Sequence, residues 1–498
     1  MRSSLVAGVV LLTVAVALRW LFCHQTGDDE AFFALVGREW LAGSAPYAAI
    51  HDVKPPGLFA LAALFETAFG PHVTAIKAIE DLAAAATALA LFRIGRRIAT
   101  APAGWIAAGL YLVASTAAEG ANQPAELVIS AFGALAFDAA LGSTAGDGPR
   151  GARRVAVMAG LGFGLAAAVK QTAIVEAAGF FIGLRLCQLP NPALRRQAPL
   201  GAAMMAAAPL AFAAYYAITG HLPDLIADTV VAALHRNQLE GISLTQTLLR
   251  FFPSMKPFMP LLLLSGLLWA ERRRISPDRR VAIRFMLFWL GFAALEAMAG
   301  RAMYERYFLS LLPGLSLFSA LFACDVLGRA PPARLRRPAQ AAAIFGAACY
   351  ILAGERAALS SGWDDGARLA SAASALRSHG LRPGRPILVI GPDLDLYLET
   401  AAAVETRFAH PMSLMCPFPV AGADMALEQA LARRPDFIIL PRPGNHRLCD
   451  LPQRWGLLDA TLDRQYCPLA QFARPLPIAA DYGLIIYGRR SGPSCGGL

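Results

Sequence analysis

Long apolar runs separated by short polar connections dominate residues 1–353. The first is Leu5 to Leu18. Others follow near His72 to Phe92, Ala101 to Ala117, Pro124 to Leu141, Val155 to Val169, Thr172 to Leu186, Pro199 to Ile218, Pro257 to Trp269, Val281 to Ala299, Tyr307 to Val326 and Ala339 to Ala353. A helix crosses a bilayer with roughly 20 mostly apolar residues, so the pattern predicts an all-α polytopic membrane domain of about eleven transmembrane helices. The opening run is short enough for a signal-peptide core. Its exit, Arg19-Trp20-Leu21-Phe22-Cys23, offers no small residues for a cleavage site, and it reads as an uncleaved first span.

After Ala353 the pattern changes. Residues 354–498 carry charges throughout, and short β-type runs, Pro386 to Ile390, Phe437 to Leu440 and Leu484 to Tyr487, alternate with helical segments Leu369 to Ser378 and Ala423 to Arg433. This predicts a small C-terminal α/β domain.

Charge orients the spans. The formal net charge is +10, but the arginines cluster in alternate connections: Arg93, Arg96 and Arg97; Arg150, Arg153 and Arg154; Arg185, Arg195 and Arg196; Arg272 to Arg274 with Arg279 and Arg280; Arg329, Arg334, Arg336 and Arg337. Basic residues accumulate on the cytoplasmic side, which places the N-terminus inside and the C-terminal domain outside. No aromatic interleaving accompanies the clusters, which argues against nucleic acid as a partner. Hydrophobic residues make up 56% of the chain and charged residues only 16%, so the membrane is the solvent this composition requires. Cys416, Cys449, Cys467 and Cys495 lie in the outer domain, where an oxidising compartment would let them pair, and no C-x-x-C spacing suggests zinc.

Two outer connections are long, His24 to Pro71 and Gly220 to Lys256. The first opens with three consecutive carboxylates, Asp28-Asp29-Glu30, at the start of an amphipathic stretch, Asp29 to Ala42, suited to the membrane interface. By position alone the acids suit a helix N-terminus. A second apolar stretch, Gly57 to Phe69, is too short to span comfortably. Lys77, Glu80 and Asp81 fall inside an apolar run, where spacings of three and four predict pairing within the helix. Gly391-Pro392-Asp393 lacks the spacing and lysine of a phosphate loop and reads as a turn.

The order of features in the first loop is distinctive: Asp29-Glu30, then Gly43-Ser-Ala-Pro-Tyr47, then Asp52-Val-Lys54-Pro55-Pro56. It resembles the first outer loop of GT-C glycosyltransferases of the dolichyl-phosphate-mannose protein mannosyltransferase superfamily, which includes bacterial lipid A aminoarabinose transferases. Asn122-Gln-Pro-Ala-Glu126, the glycine-rich Gly160 to Lys170-Gln171, and Gly300-Arg301 with Tyr304-Glu-Arg306-Tyr307 extend the resemblance; the family often has histidine where Arg306 stands. The resemblance covers Arg19 to Pro313, and no motif in the C-terminal domain matches.

That resemblance implies an inverting transferase that takes a sugar from polyprenyl phosphate to a lipid A, cell-envelope glycan or protein acceptor at the outer face of the cell inner membrane. Polyprenyl phosphate leaves readily, so the reaction needs one carboxylate to accept the acceptor's proton, and cations where phosphate charge develops. Asp29 is the implied base, with Asp28 as the near alternative and Glu30 in support. Lys54, Arg301 and Arg306 are the implied phosphate contacts, and Tyr47, Asp52, Glu126, Lys170 and Tyr304 further cavity candidates. The chemistry requires no cofactor, although Asp28 with Glu30 could hold a divalent cation. A transporter of lipid-linked sugars, using Lys77, Glu80, Asp81 and Glu176 as a pathway, is the rival reading; it expects internal repeats, and none is visible.

Overall fold

The computed structural model describes the chain apart from residues 1, 23–27, 117–122, 240–242, 272–274, 300–302, 327–332, 355, 417–419, 442–450, 474–482 and 491–498. It divides into two compact units, one of Met1–Cys23, Ala78–Ala214 and Ile242–Arg356, the other of His24–Lys77, Tyr215–Gly241 and Ala357–Leu498.

The first unit is helical, and every apolar run of the sequence falls on a helix. Among the described residues, Ser4–Leu21, Pro124–Gly142, Ala145–Val169, Ala193–Ile218, Thr245–Ala270, Arg279–Ala299 and Glu305–Cys324 are long and apolar enough to cross a membrane. The protein is a multi-pass membrane protein. Ala101–Ala114 and Gln340–Leu352 are apolar but shorter. Val73–Ile98 is long but carries Lys77, Glu80, Asp81 and a basic end.

Small residues let these helices approach closely, as packing between apolar helices in lipid requires. A Cβ on Gly160 would lie 2.1 Å from the carbonyl oxygen of Gly201, and one on Gly164 would lie 2.5 Å from that of Met205. Where the backbones stand further apart, rings fill the space: Trp289 stacks on Phe137 with centroids 4.4 Å apart, and Phe180 and Phe285 close around them.

Several buried charges are paired. Glu80, fully buried, lies 3.5 Å from Arg19, which also stands 3.9 Å from Asp81. The sequence expectation gave these acids to Lys77 on their own helix. An arginine from the first helix approaches both acids, and Lys77 Nζ also meets Glu30 Oε1 at 2.7 Å.

The second unit is built on a five-stranded mixed sheet, β1 (Pro386–Val389), β2 (Ala403–Val404), β3 (Phe437–Pro441), β4 (Tyr466–Phe472) and β5 (Leu484–Arg489), in the order β2-β1-β3-β5-β4. The β2, β1 and β3 strands run parallel, and β5 and β4 add antiparallel to them. β1, β3 and β5 are the three runs the sequence announces. β4 is an edge strand that carries Pro468 at a bulge, settings in which a sheet tolerates proline. Cys416 and Cys467 are disulfide-bonded, while Cys449 and Cys495 lie outside the described residues.

Candidate functional site

The segment between the first apolar helix and Val73 supplies a helix, Asp28–Leu41, followed by a second, Gly57–Phe69. They pack through Gly37, whose Cβ would come within 3.0 Å of both Ala62 Cβ and the Ala63 nitrogen. The first helix is more deeply covered by protein than its amphipathic pattern suggests. Ala31 to Val36 are all at most 1% exposed, because C-terminal residues cover what would be the polar side. Arg38 donates from Nη1 to the Tyr397 carbonyl (2.8 Å) and from Nη2 to that of Ala402 (2.9 Å).

Asp29 stands in the first turn of this helix, its side chain 13% exposed. Lys54 Nζ is 3.8 Å from its Oδ2 and 4.5 Å from the Phe33 ring centroid. His410 Nε2 is 3.8 Å from its Oδ1. Lys54 thus has a carboxylate and an aromatic face beside it while its side chain remains 23% exposed. Glu30 points elsewhere: it is fully buried, and Lys77 Nζ reaches its Oε1 at 2.7 Å. The Asp28 side chain lies outside what the structure describes.

Tyr47 explains how Lys54 is placed. Its backbone is left-handed, with φ of 71°, an unfavourable conformation for a bulky residue. Surrounding contacts hold it there. Its N–H donates to the Ile50 carbonyl (2.8 Å), its ring sits between Phe59 and Tyr216, and its hydroxyl donates to the Lys54 carbonyl (2.7 Å). Burial pushes the phenol well above its ordinary pKa, so it remains a donor. Asp52 turns inward on its own loop, accepting from the Val53 N–H at 2.6 Å.

A buried anchor that the sequence does not reveal fixes the same loop. His51 Nδ1 lies 2.9 Å from Asp228 Oδ2, Arg407 Nη2 bonds both Asp228 oxygens at 3.1 and 3.3 Å, and the His51 N–H donates to the Arg407 carbonyl at 2.7 Å. Asp228 sits in a π-helical turn, Ala227–Val231, a feature that often marks functional positions. His51 adjoins Asp52 in the motif, and Asp228 interrupts an apolar helix. Those were the available signals.

The remaining candidates gather in the first unit. Lys170, at the end of Gly148–Val169, lies 3.1 Å from Glu126 Oε1, 3.9 Å from Glu296 Oε1 and 4.8 Å from the Tyr307 ring centroid. Thr172 Oγ1 donates to the same Glu296 oxygen at 2.7 Å. Tyr304 packs edge-on to Tyr307, and the Arg306 guanidinium lies 4.8 Å over the Tyr304 ring. Three separated sequence motifs therefore meet around one lysine. Arg301 lies outside the described residues. Among the described residues, no group of three or more His, Cys, Asp or Glu is placed to hold a metal ion.

The chain has the fold of GT-C glycosyltransferases. It aligns over 98% of its length, and over 99% of the other chain, with ArnT from Cupriavidus metallidurans bound to undecaprenyl phosphate, at a TM-score of 0.66 and 13% identity. The apo form of that protein gives 0.63 and 14% over the same shares. The Archaeoglobus fulgidus oligosaccharyltransferase tethered with an acceptor peptide gives 0.50 and 11%, over 98% of this chain and 74% of that one. No protein-family model and no curated protein sequence matches the chain.

Proposed function

We propose that this protein is an inverting membrane glycosyltransferase that moves a sugar from a polyprenyl-phosphate donor to a lipid A, cell-envelope glycan or protein acceptor. The observation that carries the reading is Asp29 at the start of an outer-loop helix with the Lys54 ammonium 3.8 Å from its carboxylate. The shared fold with a protein that binds undecaprenyl phosphate supports the donor class.

In this reading the acceptor oxygen attacks the anomeric carbon from the face opposite the phosphate. Its proton passes to Asp29 as the new C–O bond forms. The bond from the anomeric carbon to the phosphate oxygen breaks, and its electron pair leaves with the polyprenyl phosphate. Lys54 stabilises the charge gathering on that oxygen, with Arg301 and Arg306 as further phosphate contacts. One displacement inverts the anomeric centre. The arginine distribution along the chain supports a cytoplasmic N-terminus, about eleven spans and a periplasmic C-terminal domain over 354–498 at the bacterial inner membrane.

The test is transfer by the purified full-length protein from synthetic polyprenyl-phosphate sugars to extracted envelope lipids. Wild type should consume the donor, and Asp29→Asn should lose on the order of 100-fold or more in rate. Transfer that survives Asp29→Asn undiminished refutes the base; a wild type that consumes no lipid-linked sugar refutes the enzyme reading.

A further inference from the structure

His410 lies 381 positions beyond Asp29 in the sequence, and no motif announced it. Its ring is held on two sides. The Met412 backbone N–H donates to Nδ1 at 3.3 Å, capping the short helix Pro411–Met415, and Phe32 meets the ring edge-on at 5.2 Å and 89°. Phe32 is one helical turn beyond Asp29, so the side chain that positions the ring and the carboxylate facing it project from one face of the same helix.

The cap also assigns the tautomer. A ring nitrogen that accepts a hydrogen bond carries no proton, so in neutral His410 the proton sits on Nε2, the atom 3.8 Å from Asp29 Oδ1. This N–H cannot take a proton from Asp29. It can only donate towards it, and a gap of this size closes with a small movement when substrate binds. Lys54 approaches the other oxygen, Oδ2.

We propose that His410 is a positioning residue of the transfer reaction: its Nε2–H donates to Asp29 Oδ1 and fixes the carboxylate plane, so that the C-terminal domain completes the catalytic site. The proposal rests on the reading of Asp29 as general base. Orientation of the base matters in the transition state more than in substrate binding, so losing the donor lowers kcat and leaves the donor KM nearly unchanged.

The two hydrogen bonds of His410 can be separated by substitution. Asparagine keeps an acceptor near the Nδ1 position and is a good helix cap, but its side chain is too short to reach Asp29. Glutamine carries an N–H near the Nε2 position but caps poorly. His410→Asn should unfold at the wild-type temperature and lose about tenfold or more in kcat with donor KM within about twofold, the range expected for a hydrogen bond to a charged group. His410→Gln should retain kcat within a few-fold of wild type, even if its unfolding temperature falls.

A role in capping alone reverses the pattern, with His410→Asn fully active and His410→Gln impaired in parallel with its stability. That result overturns the proposal. Asp29→Asn, assayed beside them, separates the two failures. An active Asp29→Asn removes the base and the positioning role together, whereas an inactive Asp29→Asn with a fully active His410→Asn removes only the latter.

Discussion

Removing one hydroxyl should reveal how the site holds Lys54. Tyr47→Phe deletes the donor to the Lys54 carbonyl and nothing else: the phenyl ring keeps its packing against Phe59 and Tyr216, and the left-handed backbone at position 47 is strained equally in both proteins. The orphaned carbonyl costs about 1–3 kcal/mol. If all of that falls on the ordered state of the 47–54 loop, and only that state binds phosphate, the donor KM rises in inverse proportion to the ordered fraction that remains. Each 1.4 kcal/mol corresponds to about tenfold, so a rise of roughly tenfold is expected, with kcat little affected. Steady-state transfer with the lipid-linked sugar varied reads this directly. The control is a double-mutant cycle with Lys54→Met. Because the hydroxyl acts through Lys54, Tyr47→Phe should raise KM hardly further once the ammonium is gone. An equal rise in both backgrounds refutes the link, as does an unchanged KM in Tyr47→Phe with intact Lys54.

Two further perturbations read the energetics of the loop. Glu66 is 3% exposed, and burial raises its pKa from 4.5 to about 8 against the attraction of Arg38. Between those values the folded protein keeps a proton that the unfolded chain has lost, so stability falls as pH rises from about 4.5 to 8 and is level above; after solvent screening the loss is on the order of 2 kcal/mol. Thermal unfolding in detergent should show wild type losing ground to Glu66→Gln across that window, and parallel curves would sink the assignment. Lys77→Met strands the fully buried Glu30 carboxylate and should destabilise by about 3 kcal/mol, whereas Lys77→Met with Glu30→Gln should recover much of it. A double variant no more stable than Lys77→Met contradicts the pairing.

The sequence carries the helices plainly because hydrophobicity alone decides them: a run such as Leu5 to Leu18 has one solution in a bilayer. It also carries Asp29, Lys54 and Tyr47, whose order along one short loop is a local pattern. What it hides is longer in range. Nothing in the period of 28–41 announces that Ala31 to Val36 are buried on every side, since the covering residues, Tyr397, Ala402 and His410, are more than 350 positions away. The distant partners of Lys77, Glu80 and Asp81 were hidden for the same reason. Spacing proposed the nearest acids, and tertiary structure supplied Glu30 to the lysine and Arg19 to the acids. His51, Asp228 and Arg407 come from three separate segments, and no single one of those segments carries a sign of the others.

The adjacent acids of the loop show why a two-residue motif serves two purposes. Successive residues on an α-helix project about 100° apart, so neighbours in sequence can face different partners. Asp29 faces Lys54 and His410 with part of its side chain exposed, and Glu30 turns into the protein to meet Lys77. One acid is presented to whatever binds beside Lys54. The other locks the start of the helix to residue 77, and that anchor sets the direction in which its neighbour points. The rotation that buries Glu30 against its lysine is the same rotation that leaves Asp29 facing Lys54.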